Sequence, residues 1–337
     1  MLKGIDKTLK TELLSILNDQ SINDDLVGKM IRSTYFYNKD EMEEMLVWGV
    51  KKGFNEVIVK YIISIIKEYG NYEQVMRIVR EGGVLTIDDV TKNNNIYTLL
   101  EKGGMSRKVL QELSQATISS KSINVGIFEV LLNMVIKGDQ GNGGVDIVRE
   151  SGKIEVKGPH GRLHGQKYHE VTSIDKYILS KYPNIKLNKF GAFSGMKATK
   201  LLWNDVMKET NNIDDTYKFI LDAMCKQFEM ESCSFQLVPE IKNIIINNGD
   251  PDFLQLQRLF GCIQLYMYCV EEGFDYFIVF KGDTKDAIRE GEYKVFKKSE
   301  LLDINTMFFD KNLIIDPQKW IRIGSSRDPY CGVLINL

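Results

Sequence analysis

The stretch from Lys121 to Gln166, KSINVGIFEVLLNMVIKGDQGNGGVDIVRESGKIEVKGPHGRLHGQ, decides how this 337-residue chain is read. Its first part, Ser122 to Lys137, is helical in pattern and apolar nearly all round, which predicts a buried helix. Glu129 and Asn133 interrupt it four residues apart, so they share a face. A buried carboxylate costs on the order of several kcal/mol unless it meets a cation, a donor or a solvated cleft. Glu129 therefore marks either a site or a helix rim with its head in water.

After the glycine-rich DQGNGG come two strand patterns, Gly144 to Arg149 and Lys153 to Gly158, with Ser151 and Gly152 suited to a tight turn between them. A two-residue loop at Ser151-Gly152 pairs Glu150 with Lys153, Val148 with Glu155 and Asp146 with Lys157. Direct partners share a face, as do alternate residues of one strand. Asp146, Glu155 and Lys157 then lie on one face, and Val145, Ile147, Ile154 and Val156 on the other. Two carboxylates and a lysine on adjacent strands are the groups of metal-assisted phosphodiester hydrolysis. Mg²⁺ takes carboxylate and water oxygens and keeps most of its waters. A bound metal acidifies a water and offsets transition-state charge, while an ammonium positions the water and faces the phosphate. The solvent face of an ordinary hairpin would carry the same three residues without any chemistry.

The run GVDIV…KIEVKG resembles the core of the PD-(D/E)XK nuclease superfamily, which includes many restriction endonucleases, resolvases and exonucleases. Asp146 stands for the motif Asp and Glu155-Val156-Lys157 for (D/E)-X-K. Glu129 matches the helix carboxylate that some members add to the metal site, and Val145 stands where the motif has Pro. The resemblance proper covers about 40 residues. It implies an α/β, restriction-endonuclease-like αβββαβ core, with Mg²⁺ (or Mn²⁺) held by Asp146, Glu155 and Glu129 and a water positioned by Lys157. It also implies a DNA partner, double-stranded DNA being favoured, and a homodimer as the candidate assembly.

Just beyond the second strand lies GPHGRLHGQKYH, which contains the chain's three His. Their spacing is not a usual structural zinc pattern, and no Cys is near. A loop approaching a phosphate backbone accounts for the glycines together with His160, Arg162, His164 and Lys167. From 151 to 200 there are ten Lys+Arg against three Asp+Glu, or +7, in a chain whose total is -2. A local basic stretch is what a nucleic-acid groove needs, although a solvated lysine-rich surface gives the same count.

Further out the chain is plainer. The composition, 43% hydrophobic and 27% charged, excludes a disordered or fibrous protein, and the balanced charge excludes a wholly basic nucleic-acid coat. Residues 1–115 read as a helical domain that binds DNA or a partner, with a compact helix pair between Thr86 and Leu113 that resembles a helix-turn-helix. Residues 116–337 read as the nuclease-like domain, with a helical insertion at about 170–250 containing a strand candidate at Ser234 to Val238. Asp252 to Glu272 is a long apolar helix, and Phe274 to Phe280 and Tyr293 to Lys297 are paired strands. Gln264 and Tyr268 resemble the Q-x-x-x-Y motif of RecB-like exonucleases, which would place Gln264 among the DNA contacts. Pro251-Asp252 with Glu292-Tyr293-Lys294 spells a rival PD…E-x-K, but Asp252 reads as a helix start.

Five Cys without a C-x-x-C pair suit buried thiols in a reducing cytosol. No signal peptide or membrane span is expected, which points to the cytoplasm, and a Lys-, Asn- and Ile-rich chain suits an AT-rich genome, hence a bacterial or phage-infected cell. Three functions therefore stand: a Mg²⁺-dependent DNA endonuclease, a RecB-like DNA exonuclease, and an idle DNA-binding or phage assembly protein on a nuclease-like scaffold.

Overall fold

The helix expected ahead of the hairpin is present, and so is the hairpin. The structure, a computed structural model, describes residues 39–52, 59, 65, 72–108, 111, 127–137, 139–140, 146–149, 152–158, 161–163, 174–187, 196–226, 236–282, 290–317 and 333–337. Its helices are α1 (Lys39–Lys51), α2 (Tyr72–Glu81), α3 (Ile87–Thr91), α4 (Ile96–Lys102), α5 (Ile127–Val135), α6 (Ile174–Lys181), α7 (Met196–Thr210), α8 (Ile213–Lys226), α9 (Pro239–Ile245), α10 (Phe253–Glu272), α11 (Lys298–Leu301) and α12 (Ile304–Phe309). The strands are β1 (Asp139–Gln140), β2 (Ile147–Arg149), β3 (Gly152–Lys157), β4 (Gly161–Leu163), β5 (Ile246–Asn247), β6 (Asp250–Pro251), β7 (Tyr276–Phe280), β8 (Tyr293–Lys297), β9 (Ile314–Pro317) and β10 (Val333–Asn336). Residues 1–158 with 278–295 form one compact unit, and 159–277 with 296–337 form a second. Residue 115, the boundary expected from sequence, falls inside the first unit.

In the first unit the front helices end against α5. Helix α2 stops at Gly82 and Gly83, whose φ of +66° and +116° favour glycine. Beyond them the Val84 and Leu85 amides both donate to the Val135 carbonyl, and Lys137 N–H donates to Leu85 O, each at 2.9 Å. Lys52, 1% exposed, donates its ammonium to Gly82 O at 3.0 Å and Ile136 O at 3.2 Å. A cation at helix C-termini meets carbonyls that have no partner within the helix, so this one lysine ties the ends of α1, α2 and α5 together. Asn133 on α5 returns a bond to the Lys52 carbonyl at 3.3 Å.

The helix pair expected between Thr86 and Leu113 is α3 and α4. Thr86 and Asp89 form a capping box on α3, and Asn95 caps α4. The turn between these helices lies along the edge of a five-stranded sheet ordered β1-β2-β3-β7-β8. Tyr293 N–H donates to Asn94 O at 2.8 Å, and Ile96 N–H to Gly291 O at 2.7 Å, so edge strand β8 is covered. On this sheet β2 runs antiparallel to both β1 and β3. Ile147, Ile154 and Val156 are buried on one face. Helix α5 packs on β3, and its Phe128 stacks on Phe280 of β7 with ring centroids 3.9 Å apart.

The register of the hairpin differs from the expected one. Ile147 faces Ile154, Val148 faces Lys153 and Arg149 faces Gly152, so each β2 residue meets a partner two places earlier than predicted. Gly152 has φ +137°, a conformation that resists a side chain, and it takes a paired position instead of a loop position. A slip of two keeps the side-chain parity, so the division of residues between faces survives.

In the second unit α10 begins at Asp252, whose Oδ1 accepts from the Leu254 and Gln255 amides, and ends at Gly273 in the left-handed conformation. Asp252 is thus a helix cap, and the rival motif loses its first residue. Arg258 on α10 donates to the carbonyls of Met307, Phe308, Asp310 and Leu313, holding the end of α12. A three-stranded sheet, β4-β10-β9, is antiparallel throughout.

Two expectations are corrected in this unit. Residues 236–238 are not a strand: Asn305 donates to Gln236 O and accepts from Val238 N–H, so one side-chain amide stands where a partner strand would. Cys262 and Cys269 are buried and reduced as expected, but Cys225, also buried, is disulfide-bonded. Burial suits a cystine as well as a thiol, so the apolar position could not tell them apart, and a reducing cytosol disfavours such a bond. No helix among the described residues is long and apolar enough to cross a membrane.

Candidate active site

Glu129, Asp146, Glu155 and Lys157 come together in the first unit. Strand β2 begins at Ile147, and Asp146 sits at a bend just before it. Its N–H donates to Ile154 O at 3.1 Å, and its Oδ2 accepts the Val156 N–H at 2.6 Å. The Val156 amide points towards β2 at the level where that strand has ended. The Asp146 side chain thus takes the place of a strand carbonyl, which anchors the carboxylate to the backbone of β3. Sequence reading missed this contact because a backbone donor leaves no mark on residue identity.

Glu155 and Lys157 are alternate residues of β3 and share the face opposite Ile154 and Val156. Their side chains form an ion pair in which the Glu155 carboxylate is 2% exposed and Lys157 is 21% exposed. Glu129, on the first turn of α5, is buried and hydrogen-bonds Asp146. The helix contributes one carboxyl group and the hairpin the other three groups.

The electrostatics follow from this crowding. Burial pushes the Asp146 carboxyl above the ordinary carboxylate range, and Lys157, the Val156 N–H and the bond to Glu129 only partly oppose it. Burial also works against the charge on Lys157, but Glu155, Asp146 and Glu129 outweigh it and hold the ammonium above its usual range. Three acidic side chains surround one lysine, and the hydrogen bond between Glu129 and Asp146 places a shared proton between their carboxyl groups.

That donor set fits a hard divalent cation, since all its ligand atoms are carboxylate oxygens. Among the described residues no three His, Cys, Asp or Glu side chains are arranged to hold one ion together. A cation here would take Asp146 and Glu155 and complete its shell with water, as Mg²⁺ does, leaving Glu129 to orient Asp146.

Of the other expected contacts, Arg162 and Gln264 belong to the second unit. Arg162 lies on β4; His160, His164 and Lys167 fall outside the described residues, as does His169. Gln264 and Tyr268 lie on α10 and are enclosed, at 3% and 5% exposed. No family model, curated protein or solved structure matches the chain.

Proposed function

We propose that the chain is a Mg²⁺-dependent (or Mn²⁺-dependent) nuclease of the PD-(D/E)XK kind, hydrolysing phosphodiester bonds of double-stranded DNA as an endonuclease. The observation that carries the reading is the convergence of Glu129, Asp146, Glu155 and Lys157 from a helix and a hairpin. In chain order helix α5 and strands β1 to β3 come first, and β4, helices α6 to α9, β5 and β6 then precede helix α10 and strand β7, so an αβββαβ order requires that stretch to be an insertion. When bound, the metal supplies Lewis acidity and charge neutralisation at the scissile phosphate. Asp146 and Glu155 hold it, and Glu129 fixes the orientation of Asp146. Lys157 holds the attacking water by a hydrogen bond and faces the phosphate with its charge. The basic stretch 151–200 supports a nucleic-acid partner. The exonuclease reading draws on Gln264 and Tyr268, whose enclosure favours the endonuclease.

The test is purified protein with Mg²⁺ on linear, closed-circular and single-stranded DNA, beside Asp146→Ala and Lys157→Ala. Cutting of closed circles is expected, with each variant slower by on the order of 100-fold or more. Digestion of free ends alone would favour the exonuclease. DNA binding without cleavage under any metal would favour the idle scaffold, and undiminished cutting by both variants would remove the site.

A further inference from the structure

The ion pair inside the candidate site constrains how a metal could enter it. Glu155 is almost wholly enclosed, and an enclosed carboxylate is tolerated only when a cation or donors meet it. Lys157 supplies that cation from two residues along the same strand, a spacing that puts both side chains on one face. The same ammonium is drawn by Asp146 and Glu129 as well as by Glu155. A divalent cation taking Glu155 and Asp146 as ligands would meet a lysine already seated among them.

We infer that Lys157 is a tethered counter-ion that competes with the divalent metal for Glu155, so that metal loading displaces the ammonium from that carboxylate. This rests on the metal-site reading above and adds a regulation to it. The lysine that serves the reaction also weakens the metal's grip, because the two positive charges repel across a few ångströms in a poorly solvated site. In exchange it keeps Glu155 charged and correctly placed when no metal is present. The ammonium released from Glu155 is then available to the water and the phosphate. One residue thus guards the metal-free site and serves the loaded one.

The experiment is calorimetric titration of Mn²⁺ into the full chain without DNA, comparing wild type, Lys157→Met, Lys157→Arg and Asp146→Asn. Lys157→Met keeps the stem and removes the charge, and it should bind Mn²⁺ tenfold or more tightly than wild type. Lys157→Arg keeps the charge and should not show that gain, while Asp146→Asn should lose binding. Equal or weaker binding by Lys157→Met, with Asp146→Asn still defective, would overturn the competition and leave the metal site standing. Absence of Mn²⁺ binding in every protein would overturn the metal site and the competition with it. Should Lys157→Met fail to fold, acylation of Lys157 in wild type gives a second measurement. Labelling should rise when Mg²⁺ is added, and a labelling rate indifferent to Mg²⁺ would overturn the inference.

Discussion

At the scale of single residues, Asp146 has two duties. Its Oδ2 closes the β3 ladder through Val156 N–H, and its charge is raised in energy by burial. The sign of the pH effect follows from the second duty. Below the unfolded carboxyl pKa of about 4 the group is protonated in both states and its burial is harmless. As pH rises through the higher folded value, the unfolded chain ionises more readily and stability is lost. Asp146→Asn keeps an acceptor for Val156 N–H but cannot ionise. In metal-free urea titrations it should be the more stable protein at pH 7 to 8, with the advantage shrinking towards pH 4. Added Mg²⁺ should raise the melting temperature of wild type only. An advantage that persists undiminished at pH 4 would contradict the assignment of the cost to ionisation. The residues of this site were legible because hydrolysis needs acidic and basic groups that stand out on a hairpin. Lys52 was not legible, since a lysine within a helical stretch reads as a solvated charge until the carbonyls it meets from elsewhere in the chain are seen.

At the scale of elements, the placement of α5 matters most, because it carries Glu129. The helix is held at its C-terminal end by Leu85, Lys52 and Gly83. A Cβ on Gly83 would sit 2.5 Å from the Ile136 carbonyl carbon and oxygen, and its φ already favours glycine. Gly83→Ala should therefore cost about 2 kcal/mol or more and shift the end of α5. Gly82→Ala should cost less, since nothing lies within 4 Å of its Cβ position. Urea unfolding of the two variants measures the difference, and similar losses would mean that the close approach at Gly83 is relieved by movement. Helices were the most legible elements: Asp252 reads as a helix start from residue type alone, and it caps α10. The hairpin was legible in its faces but not in its register, because period-two patterning cannot distinguish a slip of two residues. The segment at 236–238 misled for a different reason. Its bonding partner is Asn305, and local pattern says nothing about a side chain 67 residues away.

At the scale of the molecule, the first unit is assembled from two separated pieces of chain, 1–158 and 278–295. Strand β3, which carries Glu155 and Lys157, has β7 as its neighbour on the far side from β2. A fragment of residues 1–158 would leave that edge of β3 bare and Phe128 without Phe280, a combination that invites edge-to-edge association. It should be poorly soluble and should melt without a cooperative transition. Rejoining 276–297 through a flexible Gly/Ser linker should restore solubility and a thermal transition. A soluble, cooperatively folding 1–158 fragment would show that the second piece is dispensable. The discontinuity also has a consequence during synthesis. Lys157 leaves the ribosome well before residue 295, and at roughly 5–20 residues per second the nascent chain carries its candidate catalytic hairpin for on the order of ten seconds before β7 and β8 exist. Through that interval the hairpin waits without its sheet partners, so faster translation of residues 158–295 or a chaperone that shields β3 should raise the yield of native protein, and a slower stretch there should lower it.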